Sequence, residues 1–467
     1  MNELRIVHNN LVYQGDSFTI NELYTSEFID YSNSKATHFY NDSHYVNELF
    51  LNTFQPWMAL EKFVRTKEIT HIRFESPSVL LRSLCLDIGV DGQVSLKGSY
   101  SIFFLFYWRF RAVIYLLITS AYLFLCMWRI PRKNVWDNHP EKSFILSRTQ
   151  AAEKKMQKFY FPKRIEDIKS KHSLYAHFSR ASRTIWVINS LFRSFNQLRI
   201  IRKHVRSLVG KYSVSIAYSF YGVRMVHTML YERLLDSYFQ RHPNETLYTG
   251  NNLDRFSVVE ESMAKKHGLR VVCIPHGLEY GFRFPKGFSG DLFYTNTKFA
   301  SEYLNLMYKT SKFVFDENVV KKMFTIDKIL PNRVKRIVFF TEPNEVHVNV
   351  SILKKILPLL ENEGWQLALK LHPKDKVLNY NTFKVDFIDT IEEALVGNIC
   401  FARKSTILLE CIYNRSNAAA IILNPKDSTL FYTFPSLQTN EIYVAKTIDQ
   451  LFKWIKLNIK NKHYEKI

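Results

Sequence analysis

The stretches Lys370-Leu371-His372-Pro373-Lys374-Asp375 and Arg403-Lys404-Ser405-Thr406-Ile407-Leu408-Leu409-Glu410 combine an imidazole, two small hydroxyls and several cations. Each reads as a buried strand running out into polar residues at a turn or a helix start. Unpaired N–H groups and the dipole at a helix start favour an anion. A phosphate suits this set of groups. Pro373 holds the histidine in extended backbone and ends the strand there. His372 would then give a charge-assisted hydrogen bond to a departing phosphate, with Lys370 as a flanking cation. Ser405 and Thr406 either cap the helix or bind the phosphate, and the two roles are compatible. Glu410, one turn later, takes ribose hydroxyls or stands as a surface carboxylate.

Two earlier stretches add to this. Val272-Cys273-Ile274-Pro275-His276-Gly277-Leu278-Glu279-Tyr280-Gly281 places a histidine and a carboxylate in a strand-to-loop turn. Its glycines let backbone approach a ligand closely. His276 has the side chain most used as a general base, and Glu279 is the alternative; the sequence leaves both open. Val338-Phe339-Phe340-Thr341-Glu342-Pro343-Asn344 ends a further strand, where Glu342 is either a plain strand end or a group gripping the donor.

Composition narrows the field. The chain has 467 residues, 46% hydrophobic and 23% charged, which is the make-up of a folded protein. With only 14 glycines and neither GxGxxG nor GxxxxGK[ST], the common glycine-rich phosphate cradles are absent. A formal charge of +21 calls for an anionic partner. From Arg129 to Tyr212 there are twenty Lys and Arg against five Asp and Glu. This segment follows Ser101–Trp128, in which Ala112 to Trp128 carries no charge and aromatic residues mark the ends. Such a pair of segments suits an anionic lipid surface. We expect a monotopic helix or re-entrant hairpin in one leaflet, ahead of a spanning helix or a buried core helix. No nucleic-acid motif accompanies the charge, so nucleic acid is not expected as a partner. Five scattered cysteines form no CxxC pair, and Met1–Asp16 lacks the order of a signal peptide. The expected location is the cytoplasmic face of a bacterial inner membrane.

The elements that must position these residues alternate between apolar strands and amphipathic helices, which predicts parallel sheets covered on both faces. Ligands bind such sheets beyond the carboxyl ends of the strands, where all these motifs fall. The expected fold is α/β, with two Rossmann-like domains facing a cleft and a basic helical insertion. Residues 1–100 begin the N-terminal domain, 101–211 form the insertion, 212–330 complete the domain and 331–467 form the nucleotide-binding domain. Ser213–Tyr218 reads as a strand, Ala151–Lys158 as a helix and Tyr308–Asn332 as an irregular link.

The ordered set of Pro-His-Gly, Phe-Phe-Thr-Glu-Pro, Leu-His-Pro and Ser-Thr-x-x-x-Glu resembles bacterial surface-polysaccharide glycosyltransferases of the GT-B fold. His372-Pro373 and Ser405-Thr406 are similar to the His-Pro and Ser-Ser/Thr motifs of bacterial sialyltransferases, polysialyltransferases and Kdo transferases. There these motifs bind the phosphate and nucleotide of a CMP-sugar. Teichoic-acid polyol-phosphate transferases also pair a His-Gly with a later His-Pro. The resemblance covers roughly 212–460. The acidic base motif of the sialyltransferases is missing, and the His276–Glu279 turn stands in that region. The resemblance implies an inverting, metal-independent transferase with a nucleotide-sugar as co-substrate, no cofactor, and a lipid-linked or growing capsular or lipopolysaccharide acceptor. A polyol-phosphate transferase using a CDP-alcohol, or a non-catalytic membrane scaffold of polysaccharide assembly, are the alternatives.

Overall fold

The computed structural model describes residues 2–39, 43–76, 78–89, 94–98, 102–132, 143–146, 173–222, 224–243, 245–275, 277–326, 336–343 and 346–460. His276 and the expected helix Ala151–Lys158 lie outside them. The chain is mixed α/β and divides into two units. One comprises Met1–His276, Phe282–Tyr294 and Thr310–Lys312; the other comprises Gly277–Gly281, Thr295–Lys309 and Phe313–Ile467.

The first unit holds a sheet built from the N-terminal residues alone. Strands β1 (Glu3–Val7), β2 (Asn10–Tyr13), β3 (Asp16–Thr19), β4 (His71–Phe74) and β5 (Ser95–Gly98) lie in the order β3-β2-β1-β4-β5. The two hairpins are antiparallel, whereas β1, β4 and β5 run parallel. Helices α1 (Ser26–Ala36), α2 (Gln55–Thr66) and α3 (Val79–Ile88) complete this part, and its core joins Leu4, Ile6, Leu60, Ile72 and Leu84. In the same unit, β6 (Ser143–Leu146), β7 (Thr246–Thr249), β8 (Arg270–Cys273) and β9 (Leu292–Tyr294) lie side by side and parallel. Residues 1–98 thus build a sheet of their own instead of contributing strands to that of 246–294.

The described residues in and around the basic segment form, besides β6, the helices α4 (Ile102–Arg129), α5 (Arg180–Leu208), α6 (Val214–Tyr221) and α7 (Met225–Phe239), and α8 (Arg255–Lys266) follows. One expectation is narrowed to its helical alternative here, and one fails. Ser101–Trp128 is one continuous 28-residue helix from Ile102, with no hairpin. Ser213–Tyr218 is helical despite its alternating side chains. The cause of the second is distant in sequence: the Asp87 carboxylate accepts hydrogen bonds from the backbone N–H groups of Tyr212 and Ser213, at 3.0 and 2.6 Å. These two residues stand just ahead of α6, so a carboxylate on α3 fixes the turn from which α6 starts.

The second unit carries α9 (Lys298–Tyr308), the short strand β10 (Phe313–Val314) and α10 (Glu317–Phe324). The expected irregular link therefore contains an amphipathic helix, capped by Asp316 and burying Val319, Val320, Met323 and Phe324. Its sheet is formed by β11 (Ile337–Phe340), β12 (Leu367–Lys370), β13 (Asp386–Phe387), β14 (Ile399–Ala402), β15 (Asn417–Ile421) and β16 (Ile442–Ala445). All pairings are parallel, in the order β13-β12-β11-β14-β15-β16. Helices α11 (Val346–Asn362), α12 (Ile391–Leu395), α13 (Ile407–Tyr413), α14 (Pro425–Tyr432) and α15 (Ile448–Lys460) connect the strands or close the unit. Strands β11 and β14 are buried at every position, which fits a sheet covered on both faces.

Candidate functional site

The six parallel strands of the second unit have the 3-2-1-4-5-6 order of a doubly wound sheet, with β11 as the first strand. The order reverses between β11 and β14, and crevices for ligands open beyond the carboxyl ends at that reversal. Two adjacent residues leaving β11 tie its neighbours together there. Thr341 Oγ1 accepts the His372 N–H from the end of β12 at 3.2 Å. The Glu342 carboxylate accepts the Lys404 N–H from the end of β14 at 3.0 Å. His372 and the Lys404-Ser405-Thr406 turn are thereby anchored to successive residues of one strand end.

The His372 side chain is exposed. Its Nδ1 accepts the Lys374 N–H at 3.1 Å, the local turn that Pro373 sets up. A ring nitrogen that accepts carries no proton, so the neutral imidazole holds its proton on Nε2. Desolvation, then the Lys374 charge, pulls the imidazole below its usual value of 6.5, against Asp375 and Glu342. His372 is therefore a neutral Nε2–H donor at neutral pH. Beneath it, Asp375 accepts Thr341 Oγ1–H at 2.8 Å and Tyr380 O–H at 2.6 Å, and Asn349 donates to the Tyr380 oxygen at 2.9 Å. Burial acts to raise the Asp375 pKa, but these hydrogen bonds outweigh it and hold the carboxylate below its ordinary range.

The cations after β14 do not stand open to a phosphate. Arg403 is fully buried and forms a fork with Asp427, Nε and Nη2 each 2.6 Å from a carboxylate oxygen. Lys404 Nζ bonds both Asp427 and Glu342, the latter at 3.2 Å. Two cations and two carboxylates thus balance. Glu342 is committed to this cluster and to the Lys404 backbone. Lys370 is likewise engaged, its ammonium donating to the carbonyls of Ile388 and Asp389 beyond β13.

Ser405 and Thr406 are half-buried at the start of α13. Thr406 takes the helix-start position with no side-chain cap, and Ser405 Oγ accepts the Ile407 N–H only at 3.4 Å. The hydroxyls are little used by the fold. Glu410 lies half-buried one turn along α13. What the structure brings together at one strand reversal is therefore His372, Ser405 and Thr406.

Glu279 belongs to the same unit and is wholly buried. Its Oε1 accepts the Asn296 backbone N–H at 2.7 Å and side-chain N–H at 2.9 Å, while Ser436 donates to Oε2. Desolvation raises its pKa against these bonds. A general base must reach the proton it removes, and in this conformation both oxygens are sealed within the protein. Glu279 ties the 277–281 segment to Asn296 and to the turn Pro435–Leu437.

No family model and no curated protein matches the chain. Among solved structures, it is similar to UDP-GlcNAc 2-epimerase from Methanocaldococcus jannaschii, with a TM-score of 0.40 and 9% identity. The match spans 67% of this chain and 91% of that one. So distant a likeness carries no chemistry, which rests here on the chain's own residues.

Asp427 and Tyr380 were not singled out by sequence. Asp427 had a local signal: Asn424 Oδ1 accepts the Asp427 N–H at 2.8 Å, as an N-cap does three residues ahead. Tyr380 had none, since a buried tyrosine in a loop reads as packing. Among the described residues no cluster of His, Cys, Asp and Glu is set to hold a metal ion.

Proposed function

We propose that the protein is an inverting, metal-independent glycosyltransferase of the GT-B type. It takes a nucleotide-sugar, CMP-linked by resemblance, and passes the sugar to a lipid-linked or growing capsular or lipopolysaccharide glycan. One observation carries this: His372 and the Ser405-Thr406 turn are both anchored at the reversal of a doubly wound sheet. The diphosphate or phosphate of the donor would accept from His372 Nε2–H and from the two hydroxyls. Those bonds strengthen as the sugar–phosphate C–O bond breaks and charge gathers on the leaving oxygen. The acceptor oxygen bonds the anomeric carbon from the opposite side, and His276 takes its proton. Glu279 positions the segment that follows His276.

Purified full-length protein should transfer sugar from one of a panel of CMP-, UDP-, GDP- and CDP-linked donors, with products read by mass spectrometry. Phosphate retained in the product backbone would instead identify a polyol-phosphate transferase. His372→Ala should lower turnover by on the order of a hundredfold, the cost of one transition-state hydrogen-bond donor. Unchanged turnover in that variant would remove the phosphate role.

A further inference from the structure

We infer that the outward faces of α4 and α5 form a docking surface for an anionic lipid bilayer, seated on one leaflet without crossing it. The two helices run antiparallel. Arg183 at the start of α5 donates to the Ile130 carbonyl just past α4 at 2.7 Å, and Arg109 near the start of α4 donates to the Lys211 carbonyl just past α5. One stripe of α4, through Ala112, Leu116, Ser120 and Met127, is buried. This stripe packs closely against the end of α6: a Cβ added at Gly222 would lie 2.6 Å from the Ala112 Cβ.

The opposite stripe of α4 is exposed and apolar, its residues one or two helical turns apart: Phe103, Phe110, Ile114, Leu117, Leu125 and Trp128. On α5, Ile185, Ile188 and Phe192 are also exposed, Phe192 at 68%. That much contiguous apolar surface marks an interaction face. Charge decides the occupant. α4 carries three arginines and α5 seven Lys and Arg, of which Arg183 is buried and Arg193 is paired with Glu232, and neither helix has an Asp or Glu. A second copy would set these cations against one another. An anionic membrane takes both the apolar stripe and the cations, as in-plane amphipathic helices do.

Crossing is disfavoured despite a length of about 42 Å for 28 residues. Midway along α5, Arg193 pairs with Glu232 of α7 at 2.8 Å, and a crossing of this helix pair would take that ion pair into hydrocarbon. This inference is independent of the transferase proposal, because donor turnover in detergent-free buffer tests that one without lipid.

The test is flotation of purified full-length protein with phosphatidylcholine vesicles, with and without phosphatidylglycerol. The protein should float only with the anionic vesicles. Phe110→Glu/Leu117→Glu/Leu125→Glu should weaken binding by at least about tenfold, with circular dichroism and melting unchanged. Arg199→Glu/Lys203→Glu should weaken it and flatten its dependence on phosphatidylglycerol. Should the triple variant misfold, quenching by brominated lipid in the wild type, reduced in Trp128→Phe, reads insertion directly. The inference falls if the wild type does not float, or if the well-folded triple variant floats equally. It falls also if neither floats while the triple variant splits a dimer, which would assign the face to a second copy. Retention of the bound protein through alkaline carbonate extraction would overturn docking on one leaflet.

Discussion

Glu260 and Asp427 are two carboxyls shut off from solvent, at 0% and 1% exposure, yet one is neutral and the other ionised. Glu260 lies between Tyr231, Thr249 and Asn251, with hydrogen bonds of 2.6–2.9 Å and no cation. Desolvation lifts it to about 8, so it is neutral at neutral pH. Desolvation pushes Asp427 upward as well, but Arg403 and Lys404 hold it below the ordinary range. Depth alone does not set the charge of a buried acid; the partners do. The first unit keeps a neutral polar centre, whereas the second keeps a balanced ionic one, next to the proposed phosphate site.

Removing the cation is the strongest way to break this contrast. Arg403→Met leaves Asp427 and Glu342 sharing one lysine, and should cost roughly 3–5 kcal/mol. Hydrogen exchange in β14 and β15, followed by mass spectrometry, should rise well before that in β7 and β8. Next in size is His372→Ala, whose loss of about a hundredfold in turnover should leave the ionic cluster and the exchange of β14 untouched. Because the His372 ring titrates below its ordinary 6.5, a wild-type rate that holds as pH falls to that value would assign the donor role to the neutral ring; a rate falling above that value would show that imidazolium is the working form.

The two acids also set opposite pH windows for stability. Glu260, raised in the folded state, contributes stability present below 4.5 that is lost as pH climbs to about 8. Asp427, depressed, contributes stability present above 3.8 that is lost as pH falls through its folded value. Urea midpoints should therefore drift down across the first window in the wild type and stay flat in Glu260→Gln. The smallest effect is at Thr341. Thr341→Val removes the acceptor for the His372 N–H and a donor to Asp375, costing about 1 kcal/mol in kcat/KM. A loss in kcat with KM unchanged would assign Thr341 to positioning His372.

Four strands of the C-terminal sheet, β11, β12, β14 and β15, were legible because they are nearly all apolar and stop at polar residues or at proline, as β12 does ahead of Pro373; β13, two exposed residues, and β16 were not among those expected. Its helices α11, α13 and α15 fall close to the amphipathic stretches Asn349–Asn362, Ser405–Asn414 and Thr447–Ile459 that the sequence marks as helical. The rest lay in long-range contacts. Asp87 turns an alternating stretch into α6 from 125 residues away. Glu342 and Asp427 absorb the cations after β14 that seemed open to a phosphate, and only their packing shows it. Glu279, written beside a histidine in a glycine-flanked turn, looks catalytic in sequence and is sealed in the fold.

The chain changes units between His276 and Gly277 and returns at Phe282, then leaves again at Thr295. A fragment beginning at residue 313 would lack both Glu279 and Asn296, leaving Ser436 without its buried acceptor and α9 missing. No single cut in the gene yields either half intact. Attempts to express the C-terminal half alone should therefore begin upstream of Gly277 and carry the intervening strand along.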